Sequence, residues 1–149
     1  MSEVLFYQLD RRPLESVLPE LLEKCLERSW RTVVQVGSEE RLIALDAHLW
    51  AYADESFLAH GTAKDGRAEA QPVYLTAGDD NPNAATVRFL ADGAEIADYS
   101  PYRRVVVLFD GNDAEARDKA RAWWSSAKAA GHEATYWQQG ERGGWVKKG

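Results

Sequence analysis

The 149 residues predict an α/β protein, a three-layer α/β/α sandwich around a largely parallel sheet. Three observations carry this expectation. Short β-prone runs alternate with longer segments of helical periodicity. One run, residues 105–109 within RRVVVLFDG, is apolar without alternation, as a strand covered on both faces requires. No internal repeat, low-complexity tract or long linker divides the chain, so residues 1–149 are expected to form one domain, with 141–149 a polar C-terminal tail.

The elements follow in order. VLFYQL (4–9) is a strand that stops at Asp10, Arg11, Arg12 and Pro13. Leu14, Val17, Leu18, Leu21, Leu22, Cys25 and Leu26 then recur at helical spacing. Pro13 and Pro19 belong before this helix or in its first turns, where a missing N–H costs least. RTVVQVG closes a second strand at Gly37, and Ser38 caps the helix of EERLIALDAHLW. Residues 51–70 are irregular. QPVYLT is a third strand, AGDDNPNAA a turn-rich connection, and TVRFL opens a fourth strand. RRVVVLFDG leads into a long helix, capped at Asn112 or Asp113 and stopped at Gly131. HEATYWQQ is the last expected strand.

Charge narrows the function. The net charge is −6, which argues against broad binding to nucleic acid phosphates. It is unevenly spread: residues 117–149 carry seven basic and three acidic side chains, +4, which leaves −10 on the rest. A basic end on an acidic body suits an anion or an acidic peptide, or forms a solvated helix face. Cys25 is the only cysteine, so no internal disulfide forms, and its place in an apolar pattern makes it a small buried hydrophobe. No secretory signal and no apolar run near membrane-spanning length are visible, so a cytoplasmic protein without a membrane partner is expected.

Catalytic patterns are missing. No GxGxxG follows the first strand and there is no GxxxxGK[ST]. FDGNDAEA passes from strand to helix through a glycine, but Asp110, Asp113 and Glu115 would repel phosphate there. Asp10 and Asp110 both end strands, so a small nucleotide-binding or phosphatase-like enzyme using that pair is the alternative reading; the simpler one is that each turns the chain. His48, His60 and His132 lack metal-ligand spacing, and Ser56 is not in a nucleophile elbow. The expectation is no catalytic residue, no cofactor and no metal.

What remains is aromatic surface and a basic helix. Arg117, Arg121, Trp124 and Lys128 share one face of the last helix, with Ala120, Trp123 and Ala127 beside them. Such a stripe can hold a carboxylate by its cations and an apolar side chain against an indole. One of the two tryptophans belongs in the core. The stretch LDAHLWAYADESFLAHG (45–61) carries Trp50, Tyr52 and Phe57, which fit core packing or an interface anchor.

Together, Leu45, Asp46, Leu49, Trp50, Glu55, Ser56, Phe57, His60 and Gly61 resemble the signature of the chi subunit of bacterial DNA polymerase III. The order of FYQL, QPVYLT, NPNAATVRFL, VVVLFDGND and ARAWWSSAKAAGHEATYWQQ agrees, so the resemblance covers nearly the whole chain. It implies a Rossmann-like fold without nucleotide binding, and a non-catalytic accessory of the clamp-loader assembly. It implies binding of the acidic, Phe-ending C-terminal tail of single-stranded-DNA-binding protein, and of the psi subunit that leads to the clamp loader; DNA is met only indirectly, at the replication fork. By this resemblance the tail site falls on Arg121, Trp124, Ser125 and Lys128, and the psi-facing patch on Trp50 and Phe57. Two positions depart from the family pattern: Ser125 stands where a Lys is usual, with Lys128 one turn on as its substitute, and Ala59 stands where many members have Pro.

Overall fold

The computed structural model describes residues 2–52, 60–140 and 144–149, with the side chains of Trp50 and Tyr52 outside the description. The chain runs β1 (Glu3–Leu9), α1 (Leu14–Glu27), β2 (Thr32–Gln35), α2 (Glu39–Tyr52), β3 (Val73–Thr76), β4 (Val87–Leu90), β5 (Arg104–Asp110), α3 (Ala114–Ala129), β6 (Glu133–Gln139) and β7 (Trp145–Lys147). The described strands form one seven-stranded sheet in the order β3-β2-β4-β5-β1-β6-β7. All neighbours are parallel except the β6–β7 pair. The expected three-layer α/β/α arrangement around a largely parallel sheet is what the chain adopts.

Strand alternation divides the core in two. Leu9, Val34, Val106 and Leu108 face Leu18, Leu22, Leu45 and Leu49 of α1 and α2. Val4, Phe6, Val107 and Phe109 face the other way, against Ala120 and Ala127 of α3. Both faces of β5 are therefore buried, which is why its sequence lacks alternation. Cys25 is buried in the first core, as its helical spacing requires.

Pro19 lies inside α1, in its second turn. It cannot donate to the carbonyl of Glu15, four residues back. That carbonyl instead accepts from His48 Nε2 at 2.8 Å, so the proline's missing bond becomes a tie between α1 and α2. Arg88 of β4 is fully buried with no carboxylate beside it. Its guanidinium donates to Gln35 Oε1, the Tyr102 hydroxyl and the carbonyls of Gly78 and Asp80, which pins the acidic turn after β3 onto the sheet.

The C-terminal segment departs from expectation. Within the stretch expected to be a polar tail, residues 145–147 form β7, antiparallel on β6, with Trp137 opposite Lys147 and Gln139 opposite Trp145. The Trp145 ring sits 4.6 Å from that of Tyr7, and Gly140 N–H donates to the Gly144 carbonyl at 2.7 Å. Aromatic packing on β1 outweighs the glycine-rich, charged composition that argued for a loose end.

Candidate functional site

Two regions have the geometry of a site. The first is the crevice at the carboxyl ends of β1 and β5. These strands are neighbours, yet β1 leads into α1 on one face and β5 into α3 on the other. Ligands of doubly wound sheets bind at such a switch point. Here it is a cavity of about 670 Å³, with Val107, Phe109 and Trp123 among its lining and Asp10, Arg41, Asp92 and Asp113 among its charged residues.

Several anion donors of this crevice are already engaged, although Lys119 of α3 also lines it and is exposed. The backbone N–H groups of Asp10, Arg11 and Arg12 converge before α1, a concave arrangement that suits an oxyanion. All three donate to Gln139 Oε1, at 2.9, 2.8 and 3.1 Å. At the start of α3, Asp113 accepts from the N–H groups of Glu115 and Ala116. On the rim, Arg12 pairs with Glu20, and Arg41 with Glu15 and Asp92. Asp10 and Asp110 end neighbouring strands, but Asp10 accepts from Gln8 and Gln138 while Asp110 accepts from the Asn112 N–H of its own turn. A Cβ on Gly111 would come within 1.9 Å of Asp10 Oδ1, so only glycine lets this turn close. Among the described residues no group of three or more His, Cys, Asp or Glu could hold a metal.

The second region is the face of α3 beside β6. Asp113 starts the helix as its N-cap, and Ala120 and Ala127 bury the inner stripe. This sets Arg117, Arg121, Trp124 and Lys128 on the flank toward β6. Arg121, Ser125 and Lys128 are exposed, and Trp124 is half-buried. Lys128 Nζ lies 4.1 Å from the centre of the Trp124 ring, within cation–π range. The Tyr136 ring of β6 meets Trp124 edge-on at 6.3 Å, and its hydroxyl donates to Gln8 Oε1 at 2.6 Å. Burial pushes the Tyr136 phenol above its usual pKa, against the opposing pull of Arg121 and Arg117. Among the described residues, no carboxylate pairs with Arg117, Arg121 or Lys128. The buried Trp124 Nε1 has no hydrogen-bond partner among them either.

The structure thus brings Arg121, Trp124, Ser125 and Lys128 together on one helix. It adds Arg117, whose place one turn before Arg121 was visible in the spacing. It also adds Tyr136 and Gln8, which only the β1–β6 register delivers. Trp123 lines the crevice, but like Trp124 it is only half-buried against the second core. Neither tryptophan is therefore fully in the core, where one of the two was expected: α3 lies on the outside of the sheet and its inner stripe is already filled by Ala120 and Ala127.

The aromatic stretch is only partly in view. Trp50 lies in α2 with its side chain undescribed, and Phe57 lies outside the described residues. Other members of the motif have structural work. His60 Nε2 lies 3.4 Å from Asp46 Oδ1, tying α2 to the segment before β3. Gly61 donates to the Val73 carbonyl and accepts from the Leu75 N–H, extending the sheet edge. A Cβ there would meet the Gln71 side chain at 2.7 Å.

Fold and site together define a doubly wound α/β protein whose crevice is partly bridged by its own side chains and whose outer helix presents, among the described residues, cations without carboxylate partners around an indole. The family model of the DNA polymerase III chi subunit, HolC, matches residues 1–135, and the chain belongs to that family. It is similar to the protein named "Probable DNA polymerase III subunit chi" of Rickettsia prowazekii (strain Madrid E), 25% identical over 109 residues. That match covers 73% of this chain and 66% of the relative, so the chain spans just under two-thirds of the relative's length. Residues 136–149, with β7, lie beyond the family match. Among the described residues no helix is long and apolar enough to cross a membrane.

Proposed function

We propose that this chain is a non-catalytic adaptor of DNA polymerase III, which holds the acidic C-terminal tail of single-stranded-DNA-binding protein and links it to the clamp loader through psi. The observation that carries the tail site is the cluster of cations around Trp124 that have no carboxylate partner among the described residues. A buried or half-buried indole offers area to an apolar side chain, and unpaired guanidiniums offer charge-assisted hydrogen bonds to carboxylates. In this reading Arg121 and Lys128 hold the acidic groups, Trp124 takes the terminal ring, and Ser125 leaves room where a longer cation is usual. Trp50, near the C-terminal end of α2, and Phe57 form the psi-facing patch, both well before α3 in sequence. Two docks that do not overlap let one adaptor hold two partners at once.

Titration calorimetry with a synthetic Asp-rich peptide ending in Phe tests the tail site. The expected result is 1:1 binding that is lost on charge reversal at Arg121; unchanged binding by Arg121→Glu removes this helix from the site. For the second dock, Trp50→Ala/Phe57→Ala is expected to retain its melting temperature and the peptide while losing psi. A variant that unfolds, or that keeps psi, returns these aromatics to the core.

A further inference from the structure

The segment after β7 reaches the α3 site itself. Lys148 N–H donates to the Tyr136 carbonyl at 2.7 Å, and Tyr136 N–H donates to the Gly149 carbonyl at 3.2 Å. These bonds carry the chain along β6 past the last strand residue, until Gly149 lies on the Trp124 indole. A Cβ built on Gly149 would stand 2.9 Å from Trp124 Cζ2 and 3.4 Å from Cη2, so the backbone there is already in contact with the benzene end of the ring. With Lys128 over the ring and Tyr136 at its edge, the indole surface offered to a partner is largely taken.

We propose that residues 148–149 are a built-in competitor for the α3 site: they cover the Trp124 indole and leave it when an acidic, Phe-terminated tail binds. The inference rests on the tail-binding reading above. Three features make the cover a reversible one. Residues 146–149 are all exposed, and the anchor of the strand, Trp145 on Tyr7, lies upstream on the opposite face of the sheet. The Trp124 Nε1 donor, buried on the ring that Gly149 touches, has no hydrogen-bond partner among the described residues. A ligand that accepts from that N–H gains what the cover withholds. The segment lies beyond residues 1–135 matched by the family model, whereas Trp124 lies within them.

A tethered competitor lowers apparent affinity by the fraction of molecules in which it is open, with no change in the site itself. The same molecule can be tested locked and unlocked. Tyr136 with Lys148 and Gly140 with Gly144 are hydrogen-bonded positions, so Trp137 and Lys147 form a non-bonded pair whose side chains face away from Trp124. Such pairs have Cα atoms about 4.5 Å apart, within reach of a disulfide. The full chain carrying Trp137→Cys and Lys147→Cys is titrated with the Asp-rich, Phe-terminated peptide, oxidised and reduced. A chain ending at Lys147 is titrated beside it.

The oxidised form is expected to bind about ten-fold more weakly than the reduced form, and the shortened chain several-fold more tightly than the full one although it has lost the Lys148 charge. On adding peptide to the unmodified chain, hydrogen exchange at the Lys148 amide should speed up. Equal affinities in all forms, or peptide binding that leaves Lys148 exchange unchanged, would overturn the competitor and leave the tail site standing. Absence of peptide binding in every form, the shortened chain included, would overturn both.

Discussion

The crevice at β1 and β5 and the flank of α3 are built from similar material and end in opposite states. Each gathers donors of positive character next to apolar surface. In the crevice most of those donors are consumed internally: Gln139 takes three backbone N–H groups, Asp113 caps α3, and Arg12 and Arg41 are ion-paired, with Lys119 left at the rim. On α3, Arg117, Arg121 and Lys128 have no carboxylate partner among the described residues. The position where a doubly wound sheet offers a ligand site is therefore a structural joint here, and the free charge sits on the outer helix. A fold supplies a place for chemistry, but the side chains decide whether that place is open.

The comparison can be broken most directly at Gln139. Gln139→Ala leaves three N–H groups without their acceptor. Water reaches the rim, so the expected loss is about 2–3 kcal/mol, rather than the full penalty for three buried donors. Added sulfate or phosphate should then raise the melting temperature of the variant more than that of the parent, because the cradle has become available to an oxyanion. Thermal melts in both buffers check this; a variant as stable as the parent and blind to sulfate would mean the three bonds matter little.

The second test is on the other region. Arg121→Ala is expected to weaken binding of the acidic peptide by about 1.5–3 kcal/mol, the scale of a charged hydrogen bond. Gln139→Ala should leave that affinity unchanged, since its acceptor serves the crevice. Calorimetry on both variants separates the regions, and equal losses would show that they form one site.

Salt should act unequally as well. The α3 cations are exposed, and screening shortens from about 10 Å at 0.1 M to about 3 Å at 1 M. Peptide affinity should fall across that range, while melting temperature, governed by packing and internal hydrogen bonds, changes less. Affinity that holds constant in salt would assign the contact to the indole rather than to the cations.

The smallest expected effect is at alkaline pH. Burial holds the phenols of Tyr7 and Tyr136 above their ordinary value of about 10. A raised folded-state pKa means the contribution to stability is fully present below the unfolded value and is lost as pH rises from there through the folded pKa. The melting temperature should decline above about pH 10, and Tyr136→Phe should soften the decline. A flat profile would show that these phenols ionise freely in the folded chain.

Much of this was legible in the sequence because the relevant signals are local. The apolar stretch of β5, the spacing of Leu14, Val17, Leu18 and Leu22, and the Asp113 cap each depend on near neighbours, so their elements appear where expected. The same periodicity puts Arg117, Arg121, Trp124 and Lys128 on one helix face, whereas Ser125 is singled out only by the family resemblance. The β7 strand was missed because its stabilising contact, Trp145 on Tyr7, spans the length of the chain and its connection is rich in glycine and charge.

The sequence by itself determined the layers, the helical stripe and the burial of Cys25, since periodicity of 2 or 3.6 residues fixes which side chains share a face. Only the tertiary structure decided what each stripe meets. Gln139 closes the crevice because parallel pairing of β6 with β1 brings its amide under the turn at Asp10. Tyr136 and Gly149 join Trp124 through sheet register and hairpin pairing, which no spacing along α3 contains. The physical reason is that hydrogen-bond acceptors and van der Waals partners are satisfied by whatever arrives in space, and arrival depends on strand order and register rather than on separation along the chain.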